Sequence, residues 1–128
     1  MLTFAIAVVS ALLTYMAVGA LGLFMLLAVW PGYAEAAPRK TYSLAMLLAR
    51  LGVALLSALC AGPPAGRIAG LRAAWVAAGV LGAVAGWIHL AQVWADYPVW
   101  YHAAYVLPIV PIVVAAARPF ALRPPNAR

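Results

Sequence analysis

The chain has 128 residues, 69% of them hydrophobic and 8% charged, with a mean hydropathy of +1.06. Soluble domains hold roughly 45–50% apolar residues, and so few charges cannot coat a water-facing globule, so the composition excludes a soluble fold and points to helices in lipid. The formal net charge of +6 comes from basic residues spaced singly between apolar blocks rather than from a patch or stripe, which argues against a nucleic-acid surface.

The first apolar run extends from Leu2 to Trp30 and is closed by Pro31-Gly32-Tyr33, a turn signal behind an interfacial aromatic. It predicts a first membrane span over about 3–30. Ala34-Glu35-Ala36 resembles a signal-peptide cleavage site. The preceding segment, however, lacks a basic n-region and exceeds the ~7–15 apolar residues of an h-region, so the run is read as a retained span. A second span is predicted over 41–61, with Arg50 near its middle and Pro63-Pro64-Ala65-Gly66 breaking the helix behind it. Arg67 and Arg72 flank the short link into a third span, over 73–95. This span ends at Asp96-Tyr97-Pro98, a turn former with interfacial aromatics. The fourth span, 100–117, contains Pro108 and Pro111, which remove backbone donors and bend a spanning helix. A frayed basic tail is expected over 118–128.

The expected fold is therefore an all-α bundle of four transmembrane helices in a single domain, 1–128. Placing the amino terminus inside collects Arg67, Arg72, Arg118, Arg123 and Arg128 on the cytoplasmic side and leaves Arg39 and Lys40 outside, so the positive-inside rule puts both termini in the cytoplasm. Cys60 is the single cysteine and reads as a small apolar filler.

The segment Pro98-Val99-Trp100-Tyr101-His102, followed by an apolar helix with two prolines and a closing arginine, resembles a family of small four-span bacterial membrane proteins of unknown function. Trp30-Pro31-Gly32-Tyr33 with Pro38 beyond it, and Gly66-Arg67-Ile68-Ala69-Gly70, are similar to the corresponding segments of that family. The chain departs from the family pattern at Ala61-Gly62-Pro63-Pro64, where such proteins tend to carry a Gly-Gly pair. The resemblance implies a bacterial inner-membrane location, and because the family's function is unknown it carries no activity over to this chain.

An arginine inside a span costs at least ~2.5–3.5 kcal/mol on insertion scales and must find water or a partner. The two acidic residues, Glu35 and Asp96, both fall on the predicted outer side, and Asp96 is the expected ion-pair partner of Arg50. On the third span Gly82, Gly86, His89, Gln92 or Val93, and Asp96 recur at intervals of three and four and share a face. The glycines provide close helix packing. The candidate polar cavity comprises Arg50, His89, Gln92, Asp96, Tyr101 and His102, with Tyr105 closing it. Trp30, Trp94, Tyr97, Trp100 and Tyr101 read as an interfacial belt.

These features favour a structural or accessory membrane subunit that packs with itself or with a partner subunit in the bilayer. One alternative is a small oligomeric transporter or channel entered through the outer-half cavity. The other is a haem or metal subunit using His89, His102 and Asp96. No cofactor or metal is expected on the first two readings, and no enzyme activity is indicated, because the nucleophile–base pairs of hydrolases do not occur.

Overall fold

A computed structural model describes residues 1–121, all of whose regular structure is helical. The first helix, α1, is Leu2–Val29. It stops at Trp30, whose extended backbone turns the chain into the short α2, Pro31–Ala36, with Pro31 in its first turn, where a missing N–H costs nothing. A 3₁₀ turn over Ala37–Arg39 ends at Lys40, which lies in the left-handed region at φ 54°. The next helix, α3, spans Leu44–Trp87, and the Ser43 side chain accepts a hydrogen bond from the Met46 amide at its start. A π-helical turn, Ile88–Gln92, and a 3₁₀ turn, Trp94–Asp96, lead to α4, Val99–Val106, and α5, Ile109–Ala121. Three helical stretches are long and apolar enough to cross a membrane: Leu2–Val29, Leu44–Gln92 and Val99–Ala121.

The break predicted at Pro63-Pro64 falls elsewhere. Both prolines lie inside α3, and the helix keeps helical dihedrals until Ala69 (φ −141°, ψ 15°) and Gly70 (φ 76°, ψ −169°). Gly70 adopts a conformation that a side chain would oppose, and there α3 folds back on itself. Its first arm, 44–68, runs alongside α5, since Gly62 meets Val113 and Ala116 while Gly66 meets Ala117. Its second arm, 71–87, runs against the same strip of chain, since Gly82 meets Val110 and Gly86 meets Val106. A straight helix would carry Gly62 and Gly82 about 30 Å apart, yet they meet Val113 and Val110, residues less than one turn apart on α5, which requires the reversal.

Three further boundaries differ from the sequence reading. The third run does not stay α-helical to Ala95, because the π turn replaces its end. The fourth is interrupted at Leu107-Pro108, where Pro108 ends α4, whereas Pro111 sits harmlessly in the first turn of α5. Arg118 belongs to α5 rather than to a frayed tail; the remainder of the predicted tail, with Arg123 and Arg128, lies outside the described residues.

The core is built of small side chains. Ala11, Ala58, Ala61, Ala65, Ala74, Ala77 and Ala78 are fully buried among Ile109, Val113, Val114 and Ala117. Alanine and glycine let backbones approach closely, so dispersion between backbones replaces the large interlocking side chains of a water-soluble core. The closest approach is not at Gly82 and Gly86, the expected packing pair, but at Gly62 and Gly66. A Cβ there would lie 2.5 Å from the carbonyl oxygens of Val113 and Ala117 respectively, against 3.0 Å from a Val110 methyl at Gly82 and 3.9 Å from Val106 at Gly86. α1 packs on the first arm in the opposite direction, with Gly22 on Val53 and Gly19 on Ser57.

Gly62→Ala and Gly66→Ala are therefore expected to lower stability by about 1–3 kcal/mol through overpacking against backbone. Gly52→Ala and Gly79→Ala, whose Cβ positions are open, should leave it unchanged or slightly raised. Thermal unfolding of the purified variants in detergent, followed by circular dichroism, checks the contrast.

Candidate functional site

Arg50 lies in the second turn of the first α3 arm, about 9 Å along the axis from Leu44. Its guanidinium is held by tyrosines from four segments of the chain. Nη1 donates to the Tyr33 hydroxyl at 2.6 Å and to Tyr42 at 3.4 Å, and Nε donates to Tyr101 at 3.3 Å. The charge also lies 5.0 Å from the centre of the Tyr42 ring and 5.5 Å from that of Tyr97, within cation–π range. Tyr33 and Tyr101 are each only 1% exposed, so these rings form a wall around the cation instead of an interfacial belt. Tyr42 stacks on Tyr97 at 5.8 Å, and Tyr97 meets Tyr101 at 4.9 Å.

The second α3 arm and α4 add the two histidines. His89 Nδ1 and His102 Nδ1 are 2.9 Å apart, and His102 Nε2 faces the carbonyls of Trp94 and Tyr97 at 3.2 and 3.1 Å. Carbonyls only accept, so His102 Nε2 carries a proton. With both rings neutral, His102 Nδ1 then accepts from His89 Nδ1–H, and His89 Nε2 is left as a bare lone pair. Trp94 stacks on His102 at 4.7 Å and 17° between planes. Tyr105 lies 4.3 Å from His89 between centroids and pairs by hydroxyl with Tyr15 of α1 at 3.4 Å. All six tyrosines and both histidines of the chain thus belong to one aromatic network.

Of the residues singled out from sequence, the structure brings Arg50 and Tyr101 into direct contact, and His89 and His102 into direct contact. Asp96 does not pair with Arg50. It forms the one ion pair among the described residues with Lys40, at 2.5 Å; Lys40 is the left-handed residue that ends the 3₁₀ turn before α3. Gln92 is exposed and Glu35 is exposed. The π turn closes on the bond from the Val93 amide to the Ile88 carbonyl, and its wider pitch turns Gln92 off the face that His89 occupies. The buried stripe of the second arm is Ala77, Leu81, Ala85 and His89, one position off the stripe through Gly82 and Gly86.

The polar groups also do not share one hydrated chamber. Arg50 and Tyr101 border a cleft of about 40 Å³ with Tyr15 and Ser57, room for no more than a water or two. His89 and His102 line a separate, almost wholly apolar cavity of about 230 Å³. No group of three metal-ligating side chains occurs among the described residues. The 2.9 Å between the two Nδ1 atoms is shorter than the ~3.3 Å that a single tetrahedral metal with bonds of ~2.0 Å would impose. The pair as it stands is a hydrogen bond, not two ligands facing one ion.

Sequence reading missed the tyrosines as a set. The signal was present in Tyr97, Tyr101 and Tyr105, spaced by four like the rungs of one helix face, with His102 beside them. Tyr33 and Tyr42 arrive through α2 and its following turn, which no periodicity marks. No family model, curated protein or solved structure matches the chain.

Two outcomes follow. His102→Phe leaves two carbonyls and His89 without their partner and is expected to cost about 1–3 kcal/mol, whereas Asp96→Asn, at a partly exposed pair open to screening, should cost at most about 1 kcal/mol. Chemical unfolding of the two variants side by side distinguishes them. Burial raises the hydroxyl pKa values of Tyr33 and Tyr42 above the usual 10.0, with Arg50 opposing the rise without cancelling it. The unfolded chain then loses these protons first, so their contribution is complete below pH ~10 and declines as pH rises beyond it. The thermal midpoint should fall more steeply above pH ~10 in the wild type than in Tyr33→Phe/Tyr42→Phe.

Proposed function

We propose that the chain is a four-span protein of a bacterial inner membrane, with both termini cytoplasmic, acting as a structural or accessory subunit that packs with other membrane spans. On this reading α1, the two arms of α3, and α4 with α5 are the spans, and the resemblance to small four-span bacterial proteins agrees with it. The α3 reversal lies between Arg67 and Arg72, close to Arg118, whereas Lys40 and Asp96 mark the opposite end. The arginine-rich end fits the cytoplasmic side.

The observation that carries the functional reading is internal saturation. No buried side-chain nitrogen or oxygen among the described residues lacks a partner, and the arginine-flanked half is filled by alanines at 0% exposure. A cluster that spends most of its hydrogen bonds on its own helices, with spare capacity only at atoms that are not sealed off, works as a clasp. A transport path would need polar groups to continue through the half that Ala58, Ala61, Ala65, Ala74 and Ala77 close, which counts against the channel alternative. The outward faces of α1 and of the second arm carry Phe24, Trp75 and Trp87, at 64%, 53% and 67% exposed, apolar surface available to lipid or to a neighbouring subunit.

Blue-native electrophoresis from native membranes in mild detergent tests the assignment. Migration as an oligomer or with a second membrane protein is expected; migration as a lone monomer would overturn it. In a Cys60→Ala background, Ser43→Cys should react with an impermeant maleimide from the periplasmic face and Ala69→Cys only after permeabilisation. The reverse pattern rules out this topology.

A further inference from the structure

A second cavity, of about 210 Å³, lies between α1 and the second α3 arm. Leu81, Ala85 and Ile88 contribute to its apolar wall, and Tyr15, Tyr105 and His89 are the residues with polar side chains that line it. Met16 and Val84 on its border are 68% and 51% exposed, so in a bilayer it opens sideways to lipid and not to water. Its volume exceeds the ~150 Å³ known to accept benzene in an apolar protein interior, and a substituted six-membered ring fits.

The polar groups at this cavity have hydrogen-bonding capacity that the fold does not use. Tyr15 and Tyr105 share a single hydroxyl–hydroxyl bond at 3.4 Å, and two hydroxyls carry two protons, so one O–H remains to be donated. His89 spends Nδ1 on His102. Its Nε2 has no protein partner, and the absence of unpartnered buried nitrogens means that Nε2 is not sealed off. The cavity thus offers one donor and one acceptor at an otherwise apolar, lipid-accessible site. A ligand to match is flat, membrane-soluble, and carries ring oxygens that accept in one form and donate in another.

We propose that this cavity binds the ring of a membrane quinone or its quinol, a ring oxygen meeting the Tyr15–Tyr105 hydroxyls or His89 Nε2 and the tail remaining in lipid. The site is independent of the accessory reading, which stands or falls on partner association alone.

Equilibrium dialysis of the purified full-length protein in detergent against duroquinone, with empty micelles as the blank, tests it. Saturable binding above the blank is expected. Tyr15→Phe/Tyr105→Phe removes only the two hydroxyl oxygens and should weaken binding roughly tenfold, the loss of one hydrogen bond's worth of affinity, with helicity and thermal midpoint close to wild type. Ala85→Phe, which fills the cavity, should abolish binding; where that variant does not fold, the double phenylalanine variant decides. Absence of saturable binding by the wild type overturns the proposal. So does equal affinity in the double variant, or an acyl chain that co-purifies in the cavity and is not displaced by duroquinone.

Discussion

A guanidinium placed inside an apolar helix hairpin has to be solvated by the protein itself, and the rest of this structure is arranged around that requirement. Desolvating the charge is expensive unless hydrogen bonds replace water. The two carboxylates of the chain are not spent on it: Asp96 pairs with Lys40 at the mouth and Glu35 faces outward. Neutral hydroxyls do the work instead. Because Tyr33, Tyr42 and Tyr101 come from different segments, satisfying Arg50 also ties α2, the turn before α3, the first α3 arm and α4 together. Arginine suits this role better than lysine, since its planar fork presents donors in several fixed directions and its flat face accepts aromatic rings.

The two ends of the molecule are held by different forces. At the tyrosine end directional bonds fix the geometry, and the His89–His102 contact extends the lock to the second arm. At the other end alanine and glycine bring backbones together, with Gly62 and Gly66 against α5 as the tightest point. On the proposed membrane placement there is no hydrophobic drive between helices, and close packing and hydrogen bonding supply what burial supplies in water. Arg67 over the Phe120 ring at 4.5 Å finishes that end with a cation on an aromatic face rather than an ion pair.

The sequence was most legible where the signal is long. The apolar runs and their aromatic or basic borders located α1 and the α4–α5 segment to within a few residues and detected both α3 arms, because hydropathy integrates over a whole helix, but the first arm runs on to 68 instead of 61 and the second leaves the α-helix at Trp87 instead of Ala95. Short-range signals failed in both directions. Pro63-Pro64 was read as a break, yet a helix packed against α5 absorbs two missing amides, and the reversal fell at Gly70, where only the backbone dihedral identifies it. The polar stripe through Gly82, Gly86 and Gln92 assumed an unbroken pitch of 3.6 residues. The π turn at Ile88–Gln92 breaks that assumption, keeping His89 buried and exposing Gln92. Arg50's partner was sought by charge, which favours Asp96; hydroxyls leave no comparable mark in a sequence, and tyrosines near a membrane boundary resemble an ordinary aromatic belt.

A double-mutant cycle between Arg50 and Tyr33 addresses the central claim most directly, because it isolates the pair from whatever each single substitution does elsewhere. Arg50→Met, Tyr33→Phe and the double variant would be unfolded reversibly in mixed micelles. A charge-assisted bond of 2.6 Å predicts a coupling of about 1.5–3 kcal/mol. A coupling below about 0.5 kcal/mol, the level at which independent sites simply add, would contradict the claim that tyrosine hydroxyls solvate this arginine and hold the helices through it.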